Sequence, residues 1–491
     1  MLEARAHKHL KNLLQVAACP WPHSLTLSRL VARTLRRRDS SLIQIEGSNQ
    51  DCWWLALLVP LCLEPTNAVL ILTESQRHRL LKVELPRLQE EGLRLSFWQG
   101  SQPAPQGHVW LIDHLALANA FYQGSLKSKH LIIPEAELLS ERLRKALALE
   151  IKSKDWEKLR HSCPFADFDL LQLYERLTRR IFINATRVDA QVRIDSGEIV
   201  AVKDLLGSEF NIIFPWADWF GFDSNSWATW AELDHKKLQW NWNLQLLEPL
   251  NNLQGLLTNQ PVLLLSGGGQ NSLLCSQLES IDCQLNVKVK LGGNLLQEPI
   301  SLFAPRSQPL PNTEFYAQHL LDQCRRLILG LKGITILLID DEQLRLQLTS
   351  ELASEFGRRV VHENIHPKSN GVVSCRCSWW LSSQNELPLP AQLIVGVLPF
   401  ATLEEPLIAA RVDALKREGR DWFRELLLPE ALRSFSQAVA PLRINRGRLA
   451  ILDGRVRSRS WGEHFYRALE PWTSLQRLLP DETPTLFENE F

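Results

Sequence analysis

Two groups of side chains in the second half of the chain combine residue types that bind metal ions. The first group could supply a zinc ion with imidazole and thiolate ligands; its members are His362, His366, Cys375 and Cys377. The two cysteines have one residue between them in a predicted strand, so they would share one face of it. Paired cysteines in structural zinc motifs are usually separated by two to four residues, and buried cysteines are common in protein cores. We therefore expect core packing here and predict no metal ligands.

The second group is a run of three acids, Asp340, Asp341 and Glu342, which directly follows an apolar run. Such a run could bind a cation, but acids are also favoured in the first turn of a helix. A helix is predicted over Glu342–Phe356, so the interpretation as a helix start is preferred. The charges of Asp340 and Asp341 would also oppose a phosphate group placed nearby.

Two clusters of arginine are the groups best suited to contact phosphate. The N-terminal cluster consists of Arg29, Arg33, Arg36, Arg37 and Arg38, and the C-terminal cluster consists of Arg443, Arg446, Arg448, Arg455, Arg457 and Arg459. We assign nucleic-acid contact to Arg455, Arg457 and Arg459. The alternative for both clusters is solvated surface, and the first could instead complement the C-terminus of a helix.

Tryptophan is unusually frequent, with 17 residues in the chain. Six of them lie close together in the sequence: Trp216, Trp219, Trp227, Trp230, Trp240 and Trp242. Exposed aromatic rings could stack on bases, but the same residues could form the core of a small insert. The spacing of Trp216, Trp219, Trp227 and Trp230 suits helical packing as well as any other. The interpretation as the core of a small α+β insert is favoured, with one or two of the rings exposed.

The elements that must position these residues are short apolar runs separated by helical patterns, which is typical of parallel strands in an α/β sheet. The runs are Ser41–Ile45, Ala68–Leu72, His108–Ile112, His130–Ile133, Val262–Leu265, Ile334–Ile339, Gly371–Cys375, Gln392–Val397 and Leu449–Leu452. The pattern predicts two α/β lobes, residues 1–270 with an insert at about 150–240, and residues 271–491.

Composition excludes several classes of protein. The 491 residues contain 55 Lys and Arg and 55 Asp and Glu, so no overall field attracts polyanions. The nine scattered cysteines do not form a disulfide framework. The longest apolar run, Trp53–Leu63, is too short to span a membrane, and the N-terminus lacks the apolar run of a signal peptide. We expect a cytoplasmic protein with no membrane partner.

Several short segments, taken in order, resemble the DinG/XPD type of superfamily 2 DNA helicases. They are Gly47–Trp54, Asp113–Leu117, His130–Leu139, Ser266, Leu398-Pro399-Phe400, Gln437 and Asp453-Gly454-Arg455. The resemblance implies two RecA-like parallel-sheet lobes, that is, a helicase core of the P-loop NTPase type. It also implies ATP hydrolysis coupled to strand separation.

The same resemblance predicts the position of an ATP site in which several of the required residues are replaced. Its phosphate loop is Gly47–Trp54, with Trp53 at the position of the phosphate-binding Lys and Trp54 at that of the Mg²⁺-binding Ser or Thr. Gly47 is all that remains of a glycine-rich loop. An indole has one N–H donor and no positive charge, so both replacements lack the required chemistry.

The other ATP-site positions are altered as well. By resemblance, Pro134 replaces the Mg²⁺-linked aspartate, and Glu135 keeps the position that orients water, where we expect it to be idle. Gln437 keeps the glutamine of a second-lobe motif. Pro441 replaces an arginine that would stabilise transition-state charge.

Many members of the family hold an iron–sulphur cluster on four cysteines between the phosphate loop and the acidic box. Only Cys52 and Cys62 lie near that interval here. The sequence therefore predicts no iron–sulphur cluster. No other cofactor is expected, and ATP and Mg²⁺ are expected only if the site still works.

The favoured function is a non-catalytic helicase-like protein that binds single-stranded nucleic acid or acts as a scaffold for a protein partner. The alternative is an active ATP-dependent DNA helicase with an altered site. A third possibility is a purely structural subunit without nucleic-acid contact. The family hydrolyses ATP, and this chain is expected to be inactive.

Overall fold

The computed structural model of the chain describes residues 1–15, 21–45, 53–65, 67–184, 191–206, 215–216, 225–234, 237–267, 272–292, 298–329 and 332–475. These residues form two compact units. The first contains residues 1–267, 272–291 and 401–425, and the second is formed between residues 292 and 400 and from residue 426 onward. The lobe boundary at residue 270 stays a prediction, and the first unit also includes two segments that lie beyond it.

The first unit is built on a parallel sheet with the strand order β11-β1-β10-β5-β2-β4-β3. Its strands are β1 (Ser41–Ile45), β2 (Ala68–Ile71), β3 (Phe97–Trp98), β4 (Val109–Ile112), β5 (His130–Ile133), β10 (Val262–Ser266) and β11 (Val287–Leu291). Neighbouring residues of a strand point to opposite faces, so Ile43 and Leu42 enter different cores on the two sides of the sheet. Burial on both faces explains why these strands are continuous apolar runs.

Helices cover both faces of this sheet. They are α1 (Leu2–Gln15), α2 (Ser24–Arg37), α3 (Trp54–Leu63), α4 (Glu74–Arg79), α5 (Leu85–Glu90), α6 (His114–Tyr122), α7 (Leu139–Ala146), α11 (Pro249–Asn252) and α12 (Ser272–Ser280). A π-helical turn, Leu80–Glu84, joins α4 to α5. Helix α3 is apolar on nearly every side because α1 and α2 pack against it.

The insert in the first unit is an antiparallel sheet with the order β6-β9-β8-β7. Its elements are β6 (Leu149–Ile151), α8 (Ser153–Ser162), α9 (Asp167–Asn184), β7 (Gln191–Arg193), α10 (Ser196–Leu206), β8 (Trp227–Asp234) and β9 (Gln239–Leu246). The core interpretation of the tryptophans is correct for Trp216, Trp230, Trp240 and Trp242, which are buried. Helical packing does not account for the spacing of Trp227 and Trp230, because both lie on β8; Trp240 and Trp242 lie on β9. Trp219 lies outside the described residues.

One helix from late in the sequence completes the insert. Helix α16 (Pro406–Arg417) lies in the segment 401–425 and packs on β8, where Ala410 joins an apolar cluster with Ala228 and Trp230. The Arg411 guanidinium, 5% exposed, lies 3.2 Å from the Glu248 carboxylate. The chain thus returns to the first unit after most of the second sheet has been formed.

The second unit is a second parallel sheet, with the order β14-β15-β13-β16-β17-β12-β18. Its strands are β12 (Ile300–Phe303), β13 (Thr335–Leu338), β14 (Val360–His362), β15 (Val372–Cys375), β16 (Gln392–Val395), β17 (Arg448–Ile451) and β18 (Trp472–Ser474). Its helices are α13 (Tyr316–Leu329), α14 (Glu342–Phe356), α15 (Cys377–Ser383), α17 (Leu428–Ile444), α18 (Arg455–Ser458) and α19 (Gly462–Ala468). The predicted α/β class with two parallel-sheet lobes and an insert in the first is confirmed. None of the described helices is both long and apolar enough to cross a membrane.

Two histidines of the first unit are buried with ring nitrogens that lack hydrogen-bond partners among the described residues. His114 begins α6 and His130 begins β5, and they are 6% and 3% exposed. His114 Nε2 and both ring nitrogens of His130 lack a hydrogen-bond partner among the described residues. Burial lowers the pKa of each ring to about 4. Both rings are therefore neutral in the folded protein near neutral pH.

We expect the free energy of unfolding to fall as the pH is lowered from about 6.5 towards 4, because the unfolded chain takes up protons that the buried rings do not. Between about pH 7 and pH 5 the loss should be about 2 kcal/mol for each histidine. Urea unfolding of the wild type and of a His114→Leu/His130→Leu variant at both pH values measures it. Buried acids whose pKa is raised make the free energy of unfolding rise as the pH is lowered. This contribution is the same in the wild type and in the variant, so it cancels in the comparison. If the free energy of unfolding changed with pH by the same amount in the wild type and in the variant, the conclusion that both rings are neutral would be contradicted.

Candidate functional site

The phosphate loop predicted by resemblance falls between β1 and α3 in the sequence. Gly47 lies outside the described residues. Trp53 and Trp54 are described, are 6% and 1% exposed, and belong to the core that α1 and α2 share with α3. Their rings are stacked, with centroids 4.2 Å apart and planes inclined by 24°. The start of α3 is therefore packed with apolar rings.

The acidic-box position follows β5. Pro134 is buried, and Glu135 has a left-handed backbone with φ of 51°. The Glu135 carboxylate is paired with the Arg142 guanidinium and accepts a 2.9 Å hydrogen bond from Gln76 Nε2. Gln76 is itself fixed in a capping box with Thr73 at the start of α4. The carboxylate thus links β5 to α4 and α7, and both of its described donors bind the same oxygen.

Glu137 has a structural role that sequence reasoning missed. Both oxygens of its carboxylate lie 3.1 Å from the backbone nitrogen of Gly267, which donates to them. Gly267 directly follows Ser266 at the end of β10, the neighbour of β5 in the sheet. Burial raises the pKa of this carboxyl. Glu137 therefore ties together the ends of two adjacent strands, and no local sequence signal predicts a pairing across 130 residues.

The acids after β13 cap helices. Asp341 caps α14, since its Oδ1 accepts a 2.8 Å hydrogen bond from the nitrogen of Leu344, which agrees with the predicted helix start. Asp340 differs from the expectation of a solvated acid. It is half-buried, it accepts a 2.7 Å hydrogen bond from the nitrogen of Cys377, and burial raises the pKa of its carboxyl. Asp340 therefore joins the end of β13 to the start of α15.

The two cysteines near this acid do not share a strand. Cys375 ends β15 but Cys377 begins α15, so the prediction of one strand face is wrong. Both are buried, as core packing requires, and burial raises the pKa of each thiol. His362 is exposed on β14, where its Nε2 lies 3.2 Å from Arg345 Nε, and His366 is also exposed.

In the second unit, the Asp453-Gly454-Arg455 segment forms one compact arrangement with Leu398-Pro399-Phe400. Asp453 is fully buried, and its carboxylate is bound by Arg455 through Nε at 3.0 Å and Nη2 at 2.6 Å. The nitrogen of Leu398 donates to the same carboxylate at 2.9 Å. The Arg455 guanidinium lies 5.3 Å from the centre of the Phe400 ring, a cation–π contact. Arg455 is thus committed to an internal ion pair.

The other C-terminal arginines are separated by the fold. Arg443 donates to four backbone carbonyls around Pro471 and Leu469, and burial lowers the pKa of its guanidinium. Arg457 is exposed and donates to the carbonyl of Ala304 at 2.7 Å. Arg459 is exposed, with no ion-pair partner in the described part of the chain. The predicted cluster of three is therefore one internal arginine and two exposed ones.

The remaining predicted position, Gln437, lies half-buried on α17, and Pro441 lies in the same helix. Trp53, Trp54 and Glu135 belong to the first unit, whereas Gln437 belongs to the second. Within the first unit, the stacked indoles follow the end of β1 and Glu135 follows the end of β5. The carboxyl ends of parallel strands meet at one edge of a sheet.

Replacing Arg455 by Ala should lower the free energy of unfolding by about 3–5 kcal/mol, because it leaves the buried Asp453 carboxylate without its cation. The matched control is Arg459→Ala, four residues away on the surface, which should change it by less than about 0.5 kcal/mol. Chemical denaturation of both variants tests the difference. If both variants lost a similarly small amount of the free energy of unfolding, the conclusion that the Asp453–Arg455 ion pair stabilises this part of the fold would be contradicted.

Comparison with known proteins gives a family match in the C-terminal part of the chain. Residues 389–472 match the family described as the helicase C-terminal domain. The ATP-dependent DNA helicase YoaA of Haemophilus influenzae is 28% identical over 121 residues, 24% of this chain and 19% of that protein. The 3'-5' exonuclease DinG of Bacillus subtilis is 33% identical over 88 residues, 17% of this chain and 9% of that protein. The matches thus span a fifth or less of the length of these curated relatives.

Solved structures extend the likeness to nearly the whole fold. A structure titled XPD_APO covers 92% of this chain and 100% of its own, with a TM-score of 0.57 at 12% identity. The structure of S. tokodaii Xpd4 covers 91% of this chain and 97% of its own, with a TM-score of 0.60 at 12% identity. At these identities the likeness is one of fold.

One expectation is corrected by these likenesses. The sequence predicts no cofactor and no iron–sulphur cluster; the XPD structures belong to a family in which many members hold one, so the expectation of none is wrong. In the described part of the interval before the acidic box, Cys62 is the one cysteine, and burial raises its thiol pKa to about 12. Among the described residues, no group of three or more His, Cys, Asp or Glu is placed to hold a metal ion. One protonated thiol does not fit a four-thiolate cluster, so no step is derived through that group.

Three likenesses agree. The C-terminal domain match, the curated relatives and the XPD-like fold all point to the same group of proteins. Two parallel-sheet units of the RecA type are the architecture that this group shares. The resemblance of the chain to the DinG/XPD type of superfamily 2 helicases is confirmed.

Proposed function

We propose that this chain is a helicase-like protein that binds nucleic acid without hydrolysing ATP. The observation that carries the proposal is the buried, stacked pair of Trp53 and Trp54 at the start of α3. A P-loop enzyme needs a Lys on the β- and γ-phosphates and a hydroxyl on Mg²⁺ at this point. Indoles supply neither group, and here their rings are already packed into the core.

The acidic box supports the same proposal. Pro134 has no carboxylate with which to hold Mg²⁺. Glu135 could orient a water only by giving up its ion pair with Arg142 or by using its other oxygen. In the second unit Pro441 stands, by resemblance, where an arginine would stabilise the transition state. Positions in both units thus lack the groups that turnover requires.

The proposed partner is single-stranded nucleic acid bound without base specificity. Arg457 and Arg459 are exposed beside the Asp453–Arg455 ion pair, and we assign the phosphate contacts to them. Contacts to phosphate carry no base code. Arg455 has a positioning role, because its guanidinium holds Asp453 and contacts Phe400.

A working ATP-dependent DNA helicase is the second candidate function. It is favoured by the likeness to the ATP-dependent DNA helicase YoaA of Haemophilus influenzae, of which the match covers 19%. That activity would require a phosphate site built from residues other than Trp53 and Trp54. The two candidates differ in one measurable property, namely DNA-stimulated release of phosphate from ATP.

We expect no DNA-stimulated phosphate release from the unmodified protein, because the phosphate-loop Lys and hydroxyl are replaced. Trp53→Lys should not restore release, since Pro134 and Pro441 remain. The measurement is phosphate release with Mg²⁺-ATP and excess oligothymidine at low salt. Glu141→Gln, which removes a carboxylate of α7 that pairs with Lys145 at 2.8 Å, is the matched control for Glu135→Gln. The working helicase would be established instead if the unmodified protein released phosphate, the Glu135→Gln variant did not, and the Glu141→Gln variant still did.

Replacing Arg457 and Arg459 together by Ala should lower the slope of log affinity against log salt for oligothymidine by about 1.4, because each phosphate of a single strand that is no longer neutralised lowers it by about 0.7. Arg455 is left intact because it holds Asp453. Arg326→Ala/Arg358→Ala, which removes two exposed arginines of the same unit, is the control and should leave the slope unchanged. Fluorescence anisotropy over a range of salt concentrations measures the slopes.

Two other outcomes of this titration are informative. An unchanged slope with intact binding would show that Arg457 and Arg459 are only solvated surface. Failure of the unmodified protein to bind any single strand at low salt would favour a scaffold for a protein partner.

A further inference from the structure

Helices α1 and α2 concentrate positive charge at the start of the chain. Together they carry seven Lys and Arg residues and a single acid, Glu3. The whole chain has a formal net charge of zero, so the rest of it is net negative. A polyanion would therefore be attracted to this helix pair and repelled by the average surface elsewhere.

The solvent face of α2 is made of arginine. Its exposed arginines are Arg29, Arg33, Arg36 and Arg37. Their spacing of four, seven and eight residues from the first places them on one side of the helix. The opposite side carries Leu27 and Val31, which are fully buried. The arginines thus form a continuous strip rather than a scattered set.

Most of this strip has no internal partner. Arg36 is paired with Glu3, with an N–O distance of 2.7 Å. No ion pair joins Arg29, Arg33 or Arg37 to a carboxylate of the described residues. Charges of Asp39 and Glu64 act on Arg36 and, with Glu3, raise the pKa of its guanidinium. Three arginines are therefore available to an external anion.

Helix α1 carries exposed cations of its own. Arg5, Lys8 and Lys11 are exposed on it, while its buried residues face α2 and α3. The apolar sides of both helices are used in the core around Trp54. A helix that binds a membrane needs an apolar face to insert into the lipid. This helix pair has none left, which favours a phosphate-rich macromolecule over a lipid surface.

We propose that the α1–α2 pair is a docking surface for the phosphate backbone of duplex nucleic acid. Arg29 and Arg37 are separated by eight residues, about 12 Å along the helix axis, a length over which each strand of a duplex carries three or four phosphates when measured along the duplex axis. Guanidinium groups bind phosphate oxygens in a bidentate manner. The proposal goes beyond the proposed function, because it assigns a second surface that is remote in sequence from Arg457 and Arg459.

The composition of the surface favours a duplex over a single strand. Neither α1 nor α2 contains Phe, Tyr or Trp, so neither can stack on an unpaired base. Binding then depends on phosphate density alone, which is higher in a duplex than in a single strand. The contact is also independent of sequence and of ATP.

The test is an Arg29→Glu/Arg33→Glu/Arg37→Glu variant, compared with the unmodified protein by anisotropy on a labelled duplex of about 20 base pairs and on oligothymidine of equal length. We expect at least about a tenfold loss of duplex affinity and a salt slope lower by about 2.7, or about 0.9 for each of the three arginines. Oligothymidine affinity should change by less than about twofold, since Arg457 and Arg459 are intact. Thermal unfolding of the variant confirms folding, because the three side chains make no ion pair within the described residues.

The control variant is Lys154→Glu/Arg326→Glu/Arg358→Glu, which changes the net charge equally at exposed positions elsewhere. An equal loss of duplex affinity in both variants would overturn the proposal in favour of general electrostatics. Binding of the unmodified protein to phosphatidylserine vesicles but not to the duplex would overturn it in favour of a membrane surface. Failure of oligothymidine binding alone would count against the proposed function and leave this surface standing.

Discussion

Burial of parallel strands on both faces constrains every other element of the first unit. A strand such as β5 has no polar face, so helices must cover the sheet on each side. Helices α1, α2 and α3 cover one side, and α6, α7 and α12 cover the other. Helix α3 is itself enclosed by α1 and α2, which accounts for its almost wholly apolar sequence. Polar chemistry is thereby confined to the strand ends and to the outer surface of the covering helices.

At the strand ends, carboxylates bind groups of the protein itself. Glu135 binds Arg142, Glu137 binds the nitrogen of Gly267, Asp340 binds that of Cys377, and Asp453 binds Arg455. A buried or half-buried carboxylate is costly unless a donor or a cation compensates it. Each of these four carboxylates binds a donor or a cation of its own unit.

The sequence predicts those parts of the fold that depend on local pattern. The bounds of β1, β5 and α14 agree with Ser41–Ile45, His130–Ile133 and Glu342–Phe356, because continuous apolar runs and an acidic helix start are local signals. The sequence does not predict the antiparallel sheet of the insert, since tryptophans three residues apart suit a helix as well as a strand. Its hairpin instead places Trp230 and Trp242 on paired strands, where Trp230 enters the cluster with α16 and Trp242 enters the core of the insert.

The candidate sites follow the same rule. The resemblance predicts Trp53 and Trp54 as replacements in a phosphate loop, and their stacking requires only that they be adjacent and buried. The partners of Asp340 and Glu137 are 37 and 130 residues away, and only the fold brings them together. The C-terminal arginines are alike in the sequence, yet Arg455 is internal and Arg459 is exposed. Burial and long-range pairing decide such differences, and residue type does not encode them.

The late return of the chain to the first unit has a consequence for biosynthesis. The apolar surface of the insert that includes Ala228, Trp230 and Leu247 is covered by α16, which lies in the segment 401–425. About 130 residues separate the end of β11 from the end of that segment, so a ribosome needs on the order of ten seconds to translate them. During this time the first unit cannot be complete, although its own sheet has already left the exit tunnel. The first unit therefore cannot finish folding until most of the sheet of the second unit has been synthesised. Until α16 emerges from the ribosome, the uncovered apolar surface of the insert is exposed to incorrect contacts.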